Sequence, residues 1–313
     1  MKRQTLSFLI RLCVTAVAFW LIIQKVDLNS IRATLLAADR LWLLVSITLF
    51  FLAQVGCVIR WHFLVPAHPS LTWPFLTGSF FVASFFNTFL PTTVGGDLIR
   101  GYDLIKATGE WRGSLASVLV DRLLGLVGFL LFALGAWIAY PPARQDAAVR
   151  AGFGGFLLLV IVTFAVLGSR RVLQAMLRPF SKIGLGQLQS HAKQFQEALR
   201  GYLNRPKKLL CAFGTTLLIQ TLAILMFAAV TKALHLPSPL LFLMLVVPII
   251  LTISQLPVSL NGWGIREWAA IHFLGRIGIG QAGAVSVSLI YGAIPILAGI
   301  IGGLLFLARR RRK

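Results

Sequence analysis

The chain has 313 residues, 58% of them hydrophobic and only 12% charged, a balance that excludes a soluble surface. Thirty lysines and arginines against nine acids leave a net charge of +21. In so apolar a chain that charge belongs beside anionic lipid headgroups rather than on nucleic acid. Apolar runs of about 18 residues or more recur along the length, each able to cross a ~30 Å hydrocarbon core as a helix, which rules out a secreted enzyme, a cytosolic domain and a disordered tail.

The first run, Leu6 to Ile23, follows a basic start and reads as a signal-anchor helix, because no small-residue cleavage site follows it. A polar link, Gln24 to Arg40, leads to a second run from Leu41 to Val65. A third, Thr72 to Leu90, stops at Pro91, and Thr92 to Arg112 is short, glycine-bearing and charged. The fourth, Gly113 to Tyr140, ends at Pro141-Pro142, and the fifth covers Ala151 to Gly168. The one long hydrophilic stretch, Ser169 to Lys208, precedes a sixth run ending near Val230. A proline-interrupted run (Leu240 to Pro257), a glycine-rich break, Trp268 to Leu274 and a last run from Ala284 to Ala308 complete the order. The expected architecture is an all-α polytopic membrane protein, a single integral membrane domain over 1–313 with about eight hydrophobic segments.

An internal repeat accounts for this order. The stretch Leu90-Pro91 through Gly96 and Arg100 to Tyr102 aligns without gaps on Leu256-Pro257 through Gly262 and Arg266 to Trp268, at a constant offset of 166. The same offset carries the second run onto the sixth and the fourth onto the last. Residues 1–140 therefore read as a first repeat and 150–308 as a second. The link at 24–40 carries three basic and two acidic residues, whereas 169–208 carries nine basic and one acidic, which places the latter and the Arg309 to Lys313 tail in the cytoplasm. A cytoplasmic N-terminus then requires each Leu-Pro/Gly motif to be the tip of a re-entrant hairpin. Each repeat keeps three crossings, and the two are inverted relative to each other, the usual build of a transporter. Eight plain transmembrane helices are the alternative, which hydropathy alone does not separate.

Proline removes a backbone donor and glycine tolerates unusual dihedrals, so Leu90 to Gly96 and Leu256 to Gly264 are expected to be non-helical turns. A half-helix starting near Gly95-Gly96, or near Gly262 and Gly264, aims its amides and positive dipole end inward, with Arg100 or Arg266 about one turn in. That is a phosphate cradle; the competing role for the arginines is pairing with Asp97 and Glu267. Asp121 and Arg122 fall at membrane depth, where an ionisable group is costly unless paired or wetted. Asp121 is either an ion-pair scaffold or a proton or substrate site, with Arg60 a plausible partner that alternatively snorkels. Asn87 and Asn261 flank the turns and either satisfy backbone or touch substrate. The candidate substrate-binding set is thus Asn87, Gly95, Gly96, Asp97, Arg100, Asp121, Arg122, Asn261, Gly262, Gly264, Arg266 and Glu267.

Other signals are weak. Cys13, Cys57 and Cys211 lie in apolar runs and read as small buried hydrophobes. The five histidines lack metal-ligand spacing, so no metal or other cofactor is expected, and no P-loop or nucleophile elbow occurs. A formal G-x-G-x-x-G at Gly278, Gly280 and Gly283 follows no strand. Leu188, Phe195, Leu199 and Tyr202 share a helical face beside Lys193 and Arg200, an in-plane amphipathic helix in the 169–208 linker. Trp20, Trp42 and Trp137 fit an outer aromatic belt, and Trp61, Trp73 and Trp111 an inner one.

The stretch Asn87 to Arg100, then Asp121-Arg122, then Leu256-Pro257 through Gly262-Trp263-Gly264-Ile265-Arg266-Glu267 resembles the flippase-like transmembrane region of bacterial lysylphosphatidylglycerol synthases and their stand-alone relatives, over essentially the whole chain. The resemblance implies a multi-pass protein of the bacterial plasma (inner) membrane with both termini cytoplasmic. It also implies lipid handling, without carrying over which lipid. In full-length synthases this region is held to move an aminoacylated phospholipid that a separate soluble domain makes; here only five residues follow the last run, so no such domain is expected. Asp121-Arg122 stands where that family often shows Glu-Arg. The leading expectation is a translocase for an anionic phospholipid or a polyprenyl-phosphate lipid, with no catalytic motif. The alternatives are a membrane-embedded transferase acting on a lipid headgroup and an accessory subunit.

Overall fold

The computed structural model describes residues 26–90, 95–168, 201–256 and 258–311, with Leu199 and a few isolated positions before residue 26. Most of the first apolar run, Pro91, Pro257 and most of the amphipathic linker lie outside the described residues. Within them the chain forms eleven α-helices and no strand. These are α1 (Leu28–Leu36), α2 (Arg40–Leu64), α3 (Trp73–Phe89), α4 (Gly95–Thr108), α5 (Trp111–Ala139), α6 (Pro142–Gln145), α7 (Ala147–Gly168), α8 (Pro206–Ala233), α9 (Leu240–Gln255), α10 (Ile265–Leu274) and α11 (Gln281–Arg311).

Local chemistry sets the boundaries. Asp27 caps α1 through the amides of Asn29 and Ser30, and hydrogen bonding, chiefly from the Ser30 hydroxyl, holds its carboxyl below the usual range. Asp39 caps α2, accepting from Leu41 N at 2.7 Å. Pro206 opens α8 at the first helical position, where its missing N–H costs nothing. Gly264 caps α10 at φ 85°, a left-handed conformation that glycine adopts without a Cβ penalty.

Length divides the helices into two kinds. α2, α5, α7, α8 and α11 are each long and apolar enough to cross a bilayer. α3, α4, α9 and α10 have 17, 14, 16 and 10 residues, about 26, 21, 24 and 15 Å at 1.5 Å per residue, short of a full crossing. α3 and α4 fold back on each other. Ser79 on α3 donates to Asp103 on α4 at 2.7 Å, and Asn87 near the end of α3 meets Gly96 at the start of α4. α9 and α10 pack together likewise, with Gly262 of the connection against Ser254.

The two hairpins open toward opposite ends of α5. The open end of α3–α4 leads directly into Trp111, and its Asp103 binds Arg309 near the end of α11 at 3.2 Å. The start of α9 instead meets the far end of α5, where Phe242 packs on Tyr140. Beyond α10, Arg276 pairs with Asp146 just before α7 at 3.3 Å. The packing is exchanged: α3 lies along α11, α9 along α5, and α2 along α8. The largest apolar cluster gathers α5, α7, α8, α9, α10 and α11 around Phe227, Leu245 and Ile250.

The α3–α11 seam is close because α11 presents glycine. A Cβ at Gly302 would strike the carbonyl of Phe81, a backbone atom that cannot rotate away. Gly302→Ala is expected to lower stability by roughly 1–3 kcal/mol, the usual cost of overpacking, seen as an earlier thermal midpoint. A Cβ at Gly154 would meet nothing within 4 Å, so Gly154→Ala is the matched control.

Two expectations need correction. Cys13 and Cys211 are exposed and Cys57 is half-buried, because apolar helices here turn residues outward toward lipid as well as inward. Trp61, expected in an inner belt, is fully buried beneath Arg100, whereas Trp73 is exposed and stacks on His62.

Candidate functional site

Three helices deliver the central charges. Asp121 sits on α5 and is 3% exposed, Arg60 comes from α2 and Arg100 from α4. Asp121 accepts from Arg60 Nε at 2.7 Å through Oδ1 and from Arg100 Nη1 at 3.0 Å through Oδ2. Asp97, in the first turn of α4, accepts from Arg100 Nη2 at 2.7 Å and from Arg122 Nε at 2.6 Å. Arg122 also reaches α9, donating to Gln255 Oε1 at 2.9 Å. Trp61 and Phe80 flank the Arg100 guanidinium at 5.1 and 5.2 Å, replacing part of its lost hydration with ring faces.

The set lines a cavity of about 420 Å³ between α2, α3, α4, α5, α7, α8 and α9. Three guanidinium groups face two carboxylates there, one positive charge in excess. An unbalanced charge at this depth is costly in a bundle without water or a counter-ion. Arg122 is the most open member, its side chain 39% exposed. The apolar wall of the cavity includes Leu126, Phe129, Leu159 and Ile219.

The expected cradle is built differently at its two ends. Gly95 and Gly96 do start a half-helix, but the Gly96 amide donates to Asn87 Oδ1 at 2.7 Å. Ala83 and Asn87 leave no room for a Cβ at Gly96. Asn87, Asp97, Arg100, Asp121 and Arg122 come together around the cavity. Arg266 and Glu267 are not on its lining. Arg266 donates to Ser288 Oγ at 3.0 Å and to Glu267 Oε1 at 3.1 Å, and stacks on Trp263 at 4.5 Å. Glu267, fully buried, also accepts from the Gly264 amide at 2.6 Å. Gly292 gives the Arg266 guanidinium its space. The hairpin tips still touch, since Asn261 Nδ2 donates to the Thr88 carbonyl at 2.8 Å.

Arg60, expected only as a partner of Asp121, is a full member of the network. Gln255, Thr252 and Ser288 lie outside the set that the sequence motifs mark. Ser288 has a readable signal: it stands 166 residues beyond Arg122, so both halves place a polar side chain there against the motif acid. Gln255 and Thr252 have none, being polar residues in an apolar run. No cluster of three or more metal-ligating side chains occurs among the described residues.

Comparison with known proteins agrees with this architecture. No curated protein matches the chain. The sequence signature described as lysylphosphatidylglycerol synthase TM region matches residues 8–303, nearly the whole length. A multi-pass, lipid-associated membrane protein with these paired motifs therefore belongs to the lysylphosphatidylglycerol synthase transmembrane-region family.

Proposed function

We propose that the protein is a lipid translocase that moves a phosphate-bearing phospholipid, or a polyprenyl-phosphate lipid, between leaflets of a bacterial plasma membrane. The observation that carries this reading is the cavity at the hairpin tips, with one positive charge in excess and Arg122 left partly open. A lipid phosphate supplies the missing anion, and the planar guanidinium fork suits its oxygens. At about 420 Å³ the cavity accommodates a headgroup while acyl chains stay in the bilayer.

In this reading residues 1–140 and 150–308 are inverted halves. The opposite openings of the two hairpins and the exchange of α3 and α9 between α11 and α5 support it. Rocking of one half against the other presents the cavity to each leaflet in turn. The transferase alternative needs a general base, and both cavity carboxylates are held by guanidinium partners.

Reconstituted into liposomes, the protein should accelerate exchange of a fluorescent anionic phospholipid between leaflets, read by dithionite quenching; rates equal to those of empty vesicles would refute translocation. Topology has its own test. With Cys13, Cys57 and Cys211 replaced, cysteines placed in 169–208 or near Arg309 should label only from the cytoplasm, and those in 24–40 only from outside. Labelling of both linkers from one face would remove the inversion.

A further inference from the structure

A smaller pocket lies away from the cavity, where the end of α2 meets the starts of α5 and α8. Pro66, Glu110, Gly113, Gly201, Tyr202 and Arg205 line it, and its volume is about 210 Å³. All three helices are long and apolar enough to span a bilayer, so a space at their ends lies at headgroup level rather than in hydrocarbon. Its walls are tied together. The Tyr202 hydroxyl donates to the Leu64 carbonyl at 2.7 Å, joining the segment before α8 to the end of α2. Gly113 keeps the floor open, since a Cβ there would stand 3.0 Å from Glu110 Oε1 and 3.2 Å from Pro66 Cγ.

Two opposite charges face this space and do not meet. Glu110 precedes α5 without capping it through its side chain. Among the described residues, neither its carboxylate nor the Arg205 guanidinium makes an ion pair or a side-chain hydrogen bond, so the two charged ends stand more than 4 Å apart. Both act on the Tyr202 phenol: burial pushes its pKa up, Arg205 draws it down and Glu110 adds to the rise. A wholly anionic group in the pocket is repelled by Glu110, and a wholly cationic one by Arg205. A group carrying an ammonium and a phosphate on a short link meets a partner at each end. A round space of this volume lets ligand atoms lie up to about 7 Å apart, which accommodates the two-carbon link of an ethanolamine phosphate.

We infer that this pocket is a site for a resident zwitterionic phospholipid, with the headgroup phosphate at Arg205 and a primary ammonium at Glu110. Neither residue lines the cavity, so the inference stands apart from the translocase reading. The bound headgroup bridges the start of α5 to the residue before α8 and fastens the end of the 169–208 linker to the bundle. Lipid is concentrated at headgroup level. A site of weak intrinsic affinity therefore stays filled, and a small preference decides which lipid fills it.

The test is native mass spectrometry of the full chain in an uncharged detergent, supplemented with one lipid at a time. The probes are phosphatidylethanolamine and its N-acetyl derivative, which keeps the phosphodiester and loses the ammonium, with free O-phosphoethanolamine as competitor. Wild-type protein should bind phosphatidylethanolamine about two- to fivefold more tightly than the N-acetyl lipid, the range of one partly exposed ion pair. Glu110→Gln should erase that ratio, and Glu110→Lys should invert it, because the pocket then holds two cations. Arg205→Gln should weaken both lipids. Equal binding of the two lipids by wild type, or a ratio that survives Glu110→Gln, overturns the ammonium site; undiminished binding by Arg205→Gln overturns the phosphate site. Both side chains are exposed, so lipid-free thermal midpoints of these variants should equal that of wild type. A fallen midpoint makes the charges structural and overturns the site. Arg122→Ala should leave the ratio unchanged, and its loss in that variant would place the lipid in the cavity instead. Free O-phosphoethanolamine displacing the lipid at equal concentration overturns the lipid assignment in favour of a soluble ligand. Absence of translocation in vesicles leaves this site standing, and absence of this binding leaves the translocase reading standing.

Discussion

Asp121→Ala is expected to lower the unfolding free energy by roughly 3–5 kcal/mol, because it strands two guanidinium groups that share its oxygens inside the bundle. The loss reaches further than one pair: Arg60, Arg100 and Asp121 join α2, α4 and α5, so the hairpin loses its tie to two spanning helices. Asp121→Asn keeps the shape but supplies one acceptor and a misplaced donor, and should fall between wild type and alanine. Removing the Arg60 charge as well, in Arg60→Met with Asp121→Asn, should recover part of the deficit, as a double-mutant cycle of thermal midpoints will show. A proton-carrying Asp121 behaves otherwise. Asp121→Asn would then fold with wild-type stability and lose the pH dependence of lipid movement, and that outcome would reverse the scaffold assignment.

Arg100→Ala is expected to abolish lipid movement. Arg100 binds both acids of the cavity and lies between two rings, so no neighbour can take over its positions. Its loss also turns the local balance from one excess cation to none, removing the attraction for a phosphate. Arg100→Lys keeps the charge but not the fork that reaches Asp97 and Asp121 together, and should restore only a minor part of the rate. Arg122→Ala, at the open edge, should weaken lipid binding with a smaller effect on the midpoint. Wild-type exchange rates for Arg100→Ala in reconstituted vesicles would refute the phosphate site.

The spanning helices are legible in the sequence because hydropathy reports what lipid will accept. The second and fourth apolar runs, Leu41 to Val65 and Gly113 to Tyr140, match α2 at Arg40–Leu64 and α5 at Trp111–Ala139 to within two residues at each end. Hairpins are legible only through the repeat, since a 16-residue apolar helix such as α9 reads the same whether it turns back or goes on. Of the two partners of Asp121, Arg60 is legible as a candidate, whereas Arg100 reads from the sequence as a partner of Asp97. They arrive from 61 and 21 residues away, and the sequence neighbour Arg122 turns instead to Asp97. The repeat also misleads in one respect: equivalent arginines imply equivalent settings, yet Arg100 faces a cavity and Arg266 is enclosed by Ser288, Glu267 and Trp263. The difference comes from partners such as Ser288 and Gly292, small groups on α11 that close around one guanidinium.

The seam between α3 and α11 bears on how the chain is made. The helical hairpin that carries Asp97 and Arg100 is complete at Thr108, but the helix it lies along ends near Arg309 and leaves the ribosome some two hundred residues later. At ~5–20 residues per second the wait is on the order of 10–40 s. Throughout it, Ser79 and Asp103 face the membrane without Arg309, and Phe81 and Phe85 without Gly302 and Phe306. The nascent hairpin therefore depends on the insertion machinery to shelter a charged element until α11 arrives. A lesion late in α11 should surface first as degradation of a hairpin made long before it.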